Sequence, residues 1–288
     1  MLPTFLIIGS MKSATTSLFR DLGANPAIFV PEDKEPDALT TDAIFTTRGR
    51  QAYSALFAGC RPDQMAGEAS TSYTKRDDHP GVPERAKRIL GSGLKLIYSV
   101  RDPVDRIVSH HHHDYAYGFA SGDIDFEVRN SPRYLEVSRY MWQATAWLQH
   151  FSRDQLQVVR FEDYTNNRPD TVDSVSRFLG VRQGGHLVEA DRTFNPSGAR
   201  HSALGPWRAI AQSEIYRRGP RRLMSWRLRA RLRAWILPKG APRPPAPSPE
   251  TLRWLEDELA EDVFAFSRLA TGKDKSMWAR WTQKRFVA

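Results

Sequence analysis

Phe5-Leu6-Ile7-Ile8-Gly9-Ser10-Met11-Lys12-Ser13-Ala14-Thr15-Thr16-Ser17-Leu18 is the stretch that decides how this chain folds. Phe5 to Ile8 reads as a buried strand, Gly9 opens a short turn, and Thr15-Thr16-Ser17-Leu18-Phe19 begins a helix. A strand that runs directly into a helix leaves unpaired backbone N–H groups and the positive end of the helix dipole at the turn. An anion is stabilised there. Lys12 adds a full positive charge, and Thr15, Thr16 and Ser17 add hydroxyl donors. The whole reads as a phosphate cradle, the plainer reading being a strand–turn–helix whose hydroxyls only cap the helix.

The type of cradle is constrained by spacing. A nucleoside-triphosphate loop requires G-x-x-x-x-G-K-[ST], but Gly9 is followed five residues later by Ala14 and then Thr15, with no lysine after it. The lysine sits inside the turn, ahead of the hydroxyls. G-x-G-x-x-G is absent from this turn, which excludes a dinucleotide fingerprint.

Outward from this unit, strands and helices alternate. Leu94 to Val100 reads as a strand bounded by Gly93 and by Arg101-Asp102-Pro103, and Val104 to Tyr117 as a helix with Pro103 in its first turn. Leu156 to Phe161 is a further strand, and residues 170–179 a helix closed by Gly180. Short helices are expected over 50–60 and 84–90, and a short strand with its following loop over 66–74. One long helix is expected over 132–151, with loops at 25–26 and 30–36. Residues 238–249 hold six prolines and form a stiff linker, after which Ser248 caps a last helix over 250–270. Such alternation argues for an α/β protein with a parallel sheet covered on both faces.

Two motifs carry a family resemblance. The first is the strand followed by x-x-K-[ST]-[AG]-T-[ST]-[ST]-L. The second is Arg101-Asp102-Pro103-Val104-Asp105-Arg106-Ile107-Val108-Ser109, of the form R-[DN]-P-x-[DE]-R-x-x-S. With them the chain resembles the sulfotransferases that use 3′-phosphoadenosine 5′-phosphosulfate (PAPS), nearer their carbohydrate and bacterial branches than the phenol and steroid branch. Gly67-Glu68-Ala69-Ser70-Thr71-Ser72-Tyr73, Val159 to Tyr164, Arg177 to Val181 and Phe194 to Arg200 are similar to further family stretches. Thr71 stands where the family usually has proline, which leaves the geometry after Glu68 open.

The resemblance implies a P-loop-like three-layer fold with a central parallel sheet plus a C-terminal helical region. It implies one domain over 1–288: a PAPS-binding α/β core at 1–200, then a basic helical segment, linker and C-terminal helix. Lys12, Ser13, Ala14, Thr15, Thr16 and Ser17 would hold the 5′-phosphosulfate. Arg101 and Ser109 would hold the 3′-phosphate, and Arg200 would close over it. The physics agrees with those roles. A guanidinium can grip a phosphate through two parallel hydrogen bonds, and eight helical residues return a hydroxyl to a similar face about two turns along. The plainer reading pairs Arg101 with Asp102 or Asp105. Glu68 is the implied general base, its alternative a merely ion-paired glutamate. Lys12 would stabilise charge on the departing phosphate oxygen. The reaction is transfer of the sulfuryl group to an acceptor hydroxyl on a glycan, glycolipid or small metabolite, releasing adenosine 3′,5′-bisphosphate, and it requires no metal.

Composition narrows the remaining classes. The single cysteine, Cys60, forbids an internal disulfide and argues against a cysteine-based metal site. No run of 18 apolar residues occurs, and the N-terminal apolar run is too short for a signal peptide, so a cytoplasmic protein is expected. Of a net charge of +9, residues 217–240 supply nine cations and no acid, which leaves the rest formally neutral. That argues against a nucleic-acid-binding surface. The same segment has Met224, Leu228, Leu232, Trp235 and Ile236 at helical spacing. It suits an amphipathic helix that covers the core, attracts an acidic or lipid-linked acceptor, or lies peripherally on the inner membrane surface. In the run His110-His111-His112-His113, neighbours point in different directions, so metal binding is disfavoured. A helix facing the substrate cleft, with one histidine as an alternative base, is expected. Glu162-Asp163 reads as structural rather than as a magnesium pair. Two other function classes stay in view: a nucleotide kinase or phosphotransferase, which would need ATP and magnesium, and a non-catalytic membrane-surface protein.

Overall fold

In the computed structural model, which describes residues 1–189 and 243–281, five strands form one parallel sheet in the order β2-β3-β1-β4-β5. The strands are β1 (Phe5–Gly9), β2 (Ile28–Phe29), β3 (Met65–Ala69), β4 (Lys95–Val100) and β5 (Leu156–Arg160). Every pairing is parallel. β1 sits at the centre, and all of its residues are buried. Its side chains alternate between two cores: Leu6 and Ile8 belong to one, Phe5 and Ile7 to the other. A strand buried on both faces is what an unbroken apolar run in a parallel sheet requires, and each such side chain contributes about 1.5–3 kcal/mol.

The face carrying Phe5 and Ile7 is covered by α1 (Thr15–Gly23), α8 (Phe161–Asn166) and α9 (Arg168–Leu179), through Leu18, Leu22, Tyr164, Val172 and Val175. The opposite face receives α2 (Thr47–Ala55), α3 (Val82–Leu90), α4 (Pro103–Ala116) and α7 (Tyr140–Leu148). A last long helix, α10 (Pro249–Thr271), joins them there by burying Leu255, Leu259, Val263 and Phe266 along one stripe. Ser248 caps α10, its hydroxyl accepting from the Thr251 N–H at 3.2 Å. This three-layer α/β arrangement with a C-terminal helix agrees with the expected architecture.

Some elements differ from expectation. The single helix expected over 132–151 is two: α6 (Arg133–Glu136) and α7. The break is made by residues distant in sequence. Arg106 Nε donates to Ser138 Oγ at 2.7 Å, and the Asp262 carboxylate accepts from the Met141 and Trp142 N–H groups, at 3.0 and 2.8 Å. That carboxylate starts a new helix where periodicity would have continued the old one. β2, only two residues long, and the helix α5 (Ile124–Asn130) were not legible, and α8 begins immediately where β5 ends.

The strand order places the site. From β1 the chain moves outward to β2 and returns to β3, then crosses β1 to β4 on its other side. Between β1 and β4 the direction of winding reverses, and ligands of open α/β sheets bind at the carboxyl ends of such strands.

Candidate active site

The β1–α1 loop and the β4–α4 junction are joined by direct hydrogen bonds. The Ser10 N–H donates to the Ser99 carbonyl at 2.6 Å, and Ser99 Oγ donates to the Ser13 carbonyl at 2.5 Å. The loop therefore rests on the end of the neighbouring strand, which carries Arg101 two residues further on. Gly9 permits the close fit on the other side: a Cβ there would lie 2.0 Å from Thr74 Oγ1.

Within the loop, Lys12 and Ala14 adopt left-handed backbone conformations, with φ of 75° and 60°. Ala14 is the N-cap of α1 and supplies no side-chain cap, so the first-turn N–H groups of Thr15, Thr16 and Ser17 keep the anion-attracting character of an open helix start. Ser13 is different: it is fully buried, and its hydroxyl pairs with Ser10 Oγ at 2.7 Å. It shapes the loop from within, while Thr16 and Ser17 stay half-buried. Left-handed residues other than glycine cost about 1–2 kcal/mol each. Ala14→Gly is accordingly expected to raise folding stability by about 0.5–1 kcal/mol in urea titration, with nucleotide affinity unchanged.

Arg101 and Ser109 line one cavity of about 360 Å³, together with Asp105, His111, His112 and Arg243. The Arg101 guanidinium stacks 4.5 Å over the Phe161 ring, and its Nε is buried without a hydrogen-bond partner. The alternative that Asp102 or Asp105 neutralises it is excluded by Arg280. That residue's Nε approaches Asp102 at 3.2 Å and its Nη2 bonds Asp105 at 2.9 Å. Asp102 is further occupied as the N-cap of α4, accepting from the Val104 and Asp105 N–H groups, and by Trp281 Nε1 at 3.2 Å. Sequence reasoning missed Arg280, because nothing local marks an arginine 178 residues from its partner.

Glu68 lies on β3, beside β1, and has no exposed surface. Three hydroxyls hold its carboxylate: Tyr73 at 2.6 Å and Tyr53 at 3.0 Å donate to Oε1, and Ser70 donates to Oε2 at 3.0 Å. Burial pushes its pKa up to about 7, although the hydrogen bonds from Tyr73, Ser70 and Tyr53 pull it down. A carboxylate balanced near neutrality suits proton transfer. Neither tyrosine was expected as a partner of Glu68: Tyr73 ends the Gly67–Tyr73 stretch quoted for the resemblance, and Tyr53 falls in the short helix expected over 50–60.

The histidine run divides its directions. His110 is buried between Arg106 and Asp114, its Nε2 3.4 Å from Asp114 Oδ2, and burial together with the Arg106 charge pushes its pKa down to about 2. His110 therefore does not face the cleft, whereas His111 and His112 line the cavity. Among the described residues no three His, Cys, Asp or Glu side chains are grouped to hold a metal ion. Glu162 accepts from the Asp102 N–H at 2.9 Å and Asp163 pairs with Arg160, which is the structural role expected of that stretch. Arg200, the loop 194–200 and the basic segment 217–240 lie outside the described residues. No helix among the described residues is long and apolar enough to cross a membrane.

Comparison with known proteins bears on the family and the fold. The sulfotransferase domain pattern matches residues 3–195. Carbohydrate sulfotransferase 15 of Mus musculus is 26% identical over 286 aligned positions, covering 73% of this chain and 50% of that protein. Bifunctional heparan sulfate N-deacetylase/N-sulfotransferase 2 of Homo sapiens is 24% identical over 201 positions, covering 62% of this chain and 22% of that protein. The chain thus spans about half the length of the first and a smaller part of the second. The crystal structure of a sulfotransferase from Alicyclobacillus acidocaldarius shares the fold, with a TM-score of 0.66 over 98% of this chain and 99% of that one, at 21% identity. Since one pattern runs from just before β1 to beyond α9 and takes in both the strand–turn–helix of residues 5–18 and the Arg101–Ser109 stretch, this chain belongs to the sulfotransferase domain family.

Proposed function

We propose that this chain transfers the sulfuryl group of PAPS to the hydroxyl of a glycan-type acceptor and releases adenosine 3′,5′-bisphosphate. One observation carries the reading: two adjacent strand ends, tied together through Ser10, Ser13 and Ser99, present an open helix start on one side and an unpaired guanidinium on the other. A nucleotide phosphorylated at both ends suits that pair of sites. The uncapped start of α1 and the buried, partnerless Arg101 Nε are the features such a ligand would satisfy. Carbohydrate acceptors are favoured by the kinship with carbohydrate sulfotransferase 15. The single sheet, with a core on each face, supports reading residues 1–288 as one domain.

PAPS supplies an activated sulfur–oxygen bond, and the protein supplies placement and charge. The N–H groups at the start of α1, with the hydroxyls of Thr15, Thr16 and Ser17, hold the 5′-phosphate. Arg101 and Ser109 hold the 3′-phosphate, with Arg200 contributing. Lys12 stabilises the negative charge left on the phosphate oxygen as its bond to sulfur breaks. Glu68 takes the proton of the acceptor oxygen as that oxygen bonds to sulfur. Its carboxylate has no exposed surface, so the proton is relayed through a hydroxyl that holds it: Ser70, itself buried, lies just past the end of β3 and 3.0 Å from Oε2. Incubation with sulfur-labelled PAPS and a panel of glycans, glycolipids and small alcohols tests the reading. Labelled product together with adenosine 3′,5′-bisphosphate is expected for a glycan. Transfer of phosphate from ATP with magnesium would instead establish the kinase alternative.

A further inference from the structure

The cavity that holds Arg101 and Ser109 has one wall from far along the chain: Arg243, Pro244, Pro245 and Ala246, which precede α10. We infer that Arg243 is a further guanidinium for the nucleotide's 3′-phosphate, beside Arg101 and the proposed Arg200, and strengthens the preference for a 3′-phosphorylated adenosine. The inference rests on the proposed donor.

Charge is the first argument. A phosphate monoester carries about −1.5 to −2 at neutral pH, and the ion pairs of Arg280 with Asp102 and Asp105 leave Arg101 as the cation of the β4–α4 wall. Among the described residues Arg101 alone would leave most of a unit of negative charge uncompensated there, Arg200 lying outside them. Arg243 on the facing wall balances it, and it makes no ion pair or hydrogen bond among the described residues. Because its side chain is exposed, it can approach the ligand without breaking an internal contact.

Placement is the second argument. The segment is fixed just downstream: the Ser248 N–H donates to Asp125 Oδ1 at 3.0 Å, Ser248 caps α10, and Arg129 of α5 pairs with Glu250 at 3.1 Å. Pro247 is buried. Consecutive prolines at 244 and 245 restrict the backbone between this anchor and Arg243, so the arginine is held at the cavity mouth with little conformational freedom to lose on binding. Sequence alone shows only a proline-rich linker there.

Calorimetric titration of the whole chain with adenosine 3′,5′-bisphosphate and with 5′-AMP tests the inference, using wild type, Arg243→Ala and Arg243→Lys. Arg243→Ala is expected to weaken the bisphosphate by about 10- to 100-fold, as for loss of a charge-assisted contact, and to leave 5′-AMP within about twofold. Arg243→Lys is expected to recover part of the loss. An unchanged ratio in Arg243→Ala, with wild type preferring the bisphosphate, overturns the role of Arg243 and leaves the donor reading standing. Equal weakening of both ligands overturns it as well, since the segment would then act on the adenosine. A wild type that shows no preference overturns the donor reading itself.

Discussion

Glu68→Gln is expected to lower sulfuryl-transfer turnover by about a hundred- to ten-thousandfold, the range for losing a general base, while binding of adenosine 3′,5′-bisphosphate stays within about twofold. Glutamine preserves the shape among Tyr53, Tyr73 and Ser70 but cannot take a proton. In wild type the rate should climb as pH rises through about 7, where burial has lifted the Glu68 carboxyl from 4.5. Stability should run the other way. The folded-state value lies above the unfolded one, so folding favours the protonated acid, and that advantage is lost as pH rises from the unfolded value through 7. The difference amounts to about 3 kcal/mol. Chemical denaturation of both proteins between pH 4.5 and 8 should show this slope in wild type and not in Glu68→Gln. Near-normal turnover in the variant would reduce Glu68 to an anchor for three hydroxyls and pass the proton to His111 or His112, the histidines that line the cavity.

Lys12→Ala is expected to cost about a hundred- to thousandfold in turnover, the range for removing one preorganised donor to a developing charge. Nucleotide affinity should fall much less, because the helix N–H groups and hydroxyls at Thr15, Thr16 and Ser17 remain. Lys12 sits in the turn itself, in a left-handed conformation between the end of β1 and the start of α1. In the proposed mechanism its charge serves the bond between the 5′-phosphate and the transferred group rather than the nucleotide as a whole. Single-turnover kinetics with saturating PAPS separates the effects. Equal losses in affinity and turnover would make Lys12 a simple phosphate ligand.

Much of this site was legible because its two halves are local. The apolar run, Gly9 and the hydroxyls fix a strand–turn–helix within a few residues, and the Arg101–Ser109 spacing places both groups on one strand–helix junction. What was not legible depends on distant partners. Arg280, which frees Arg101 by occupying Asp102 and Asp105, and Arg243, which shares the cavity, come from the far end of the chain and belong to no motif. The break between α6 and α7 arises likewise from Arg106 and Asp262, so helical periodicity ran through it. Glu68, expected as a base or as an ion-paired glutamate, is held by three neighbouring hydroxyls with no exposed surface. Of the histidine run expected to face the cleft, His110 is instead turned into a buried pair with Asp114, because Arg106 and Tyr134 close over that face of α4.

Binding of adenosine 3′,5′-bisphosphate to wild type and Arg101→Ala, measured calorimetrically in chelator-treated buffer, tests most directly whether two neighbouring strand ends hold one doubly phosphorylated nucleotide. One equivalent should bind wild type without metal, ATP with magnesium should not displace it, and Arg101→Ala should weaken it by about 10- to 100-fold. Absence of binding to wild type, or an affinity indifferent to Arg101, would contradict that arrangement.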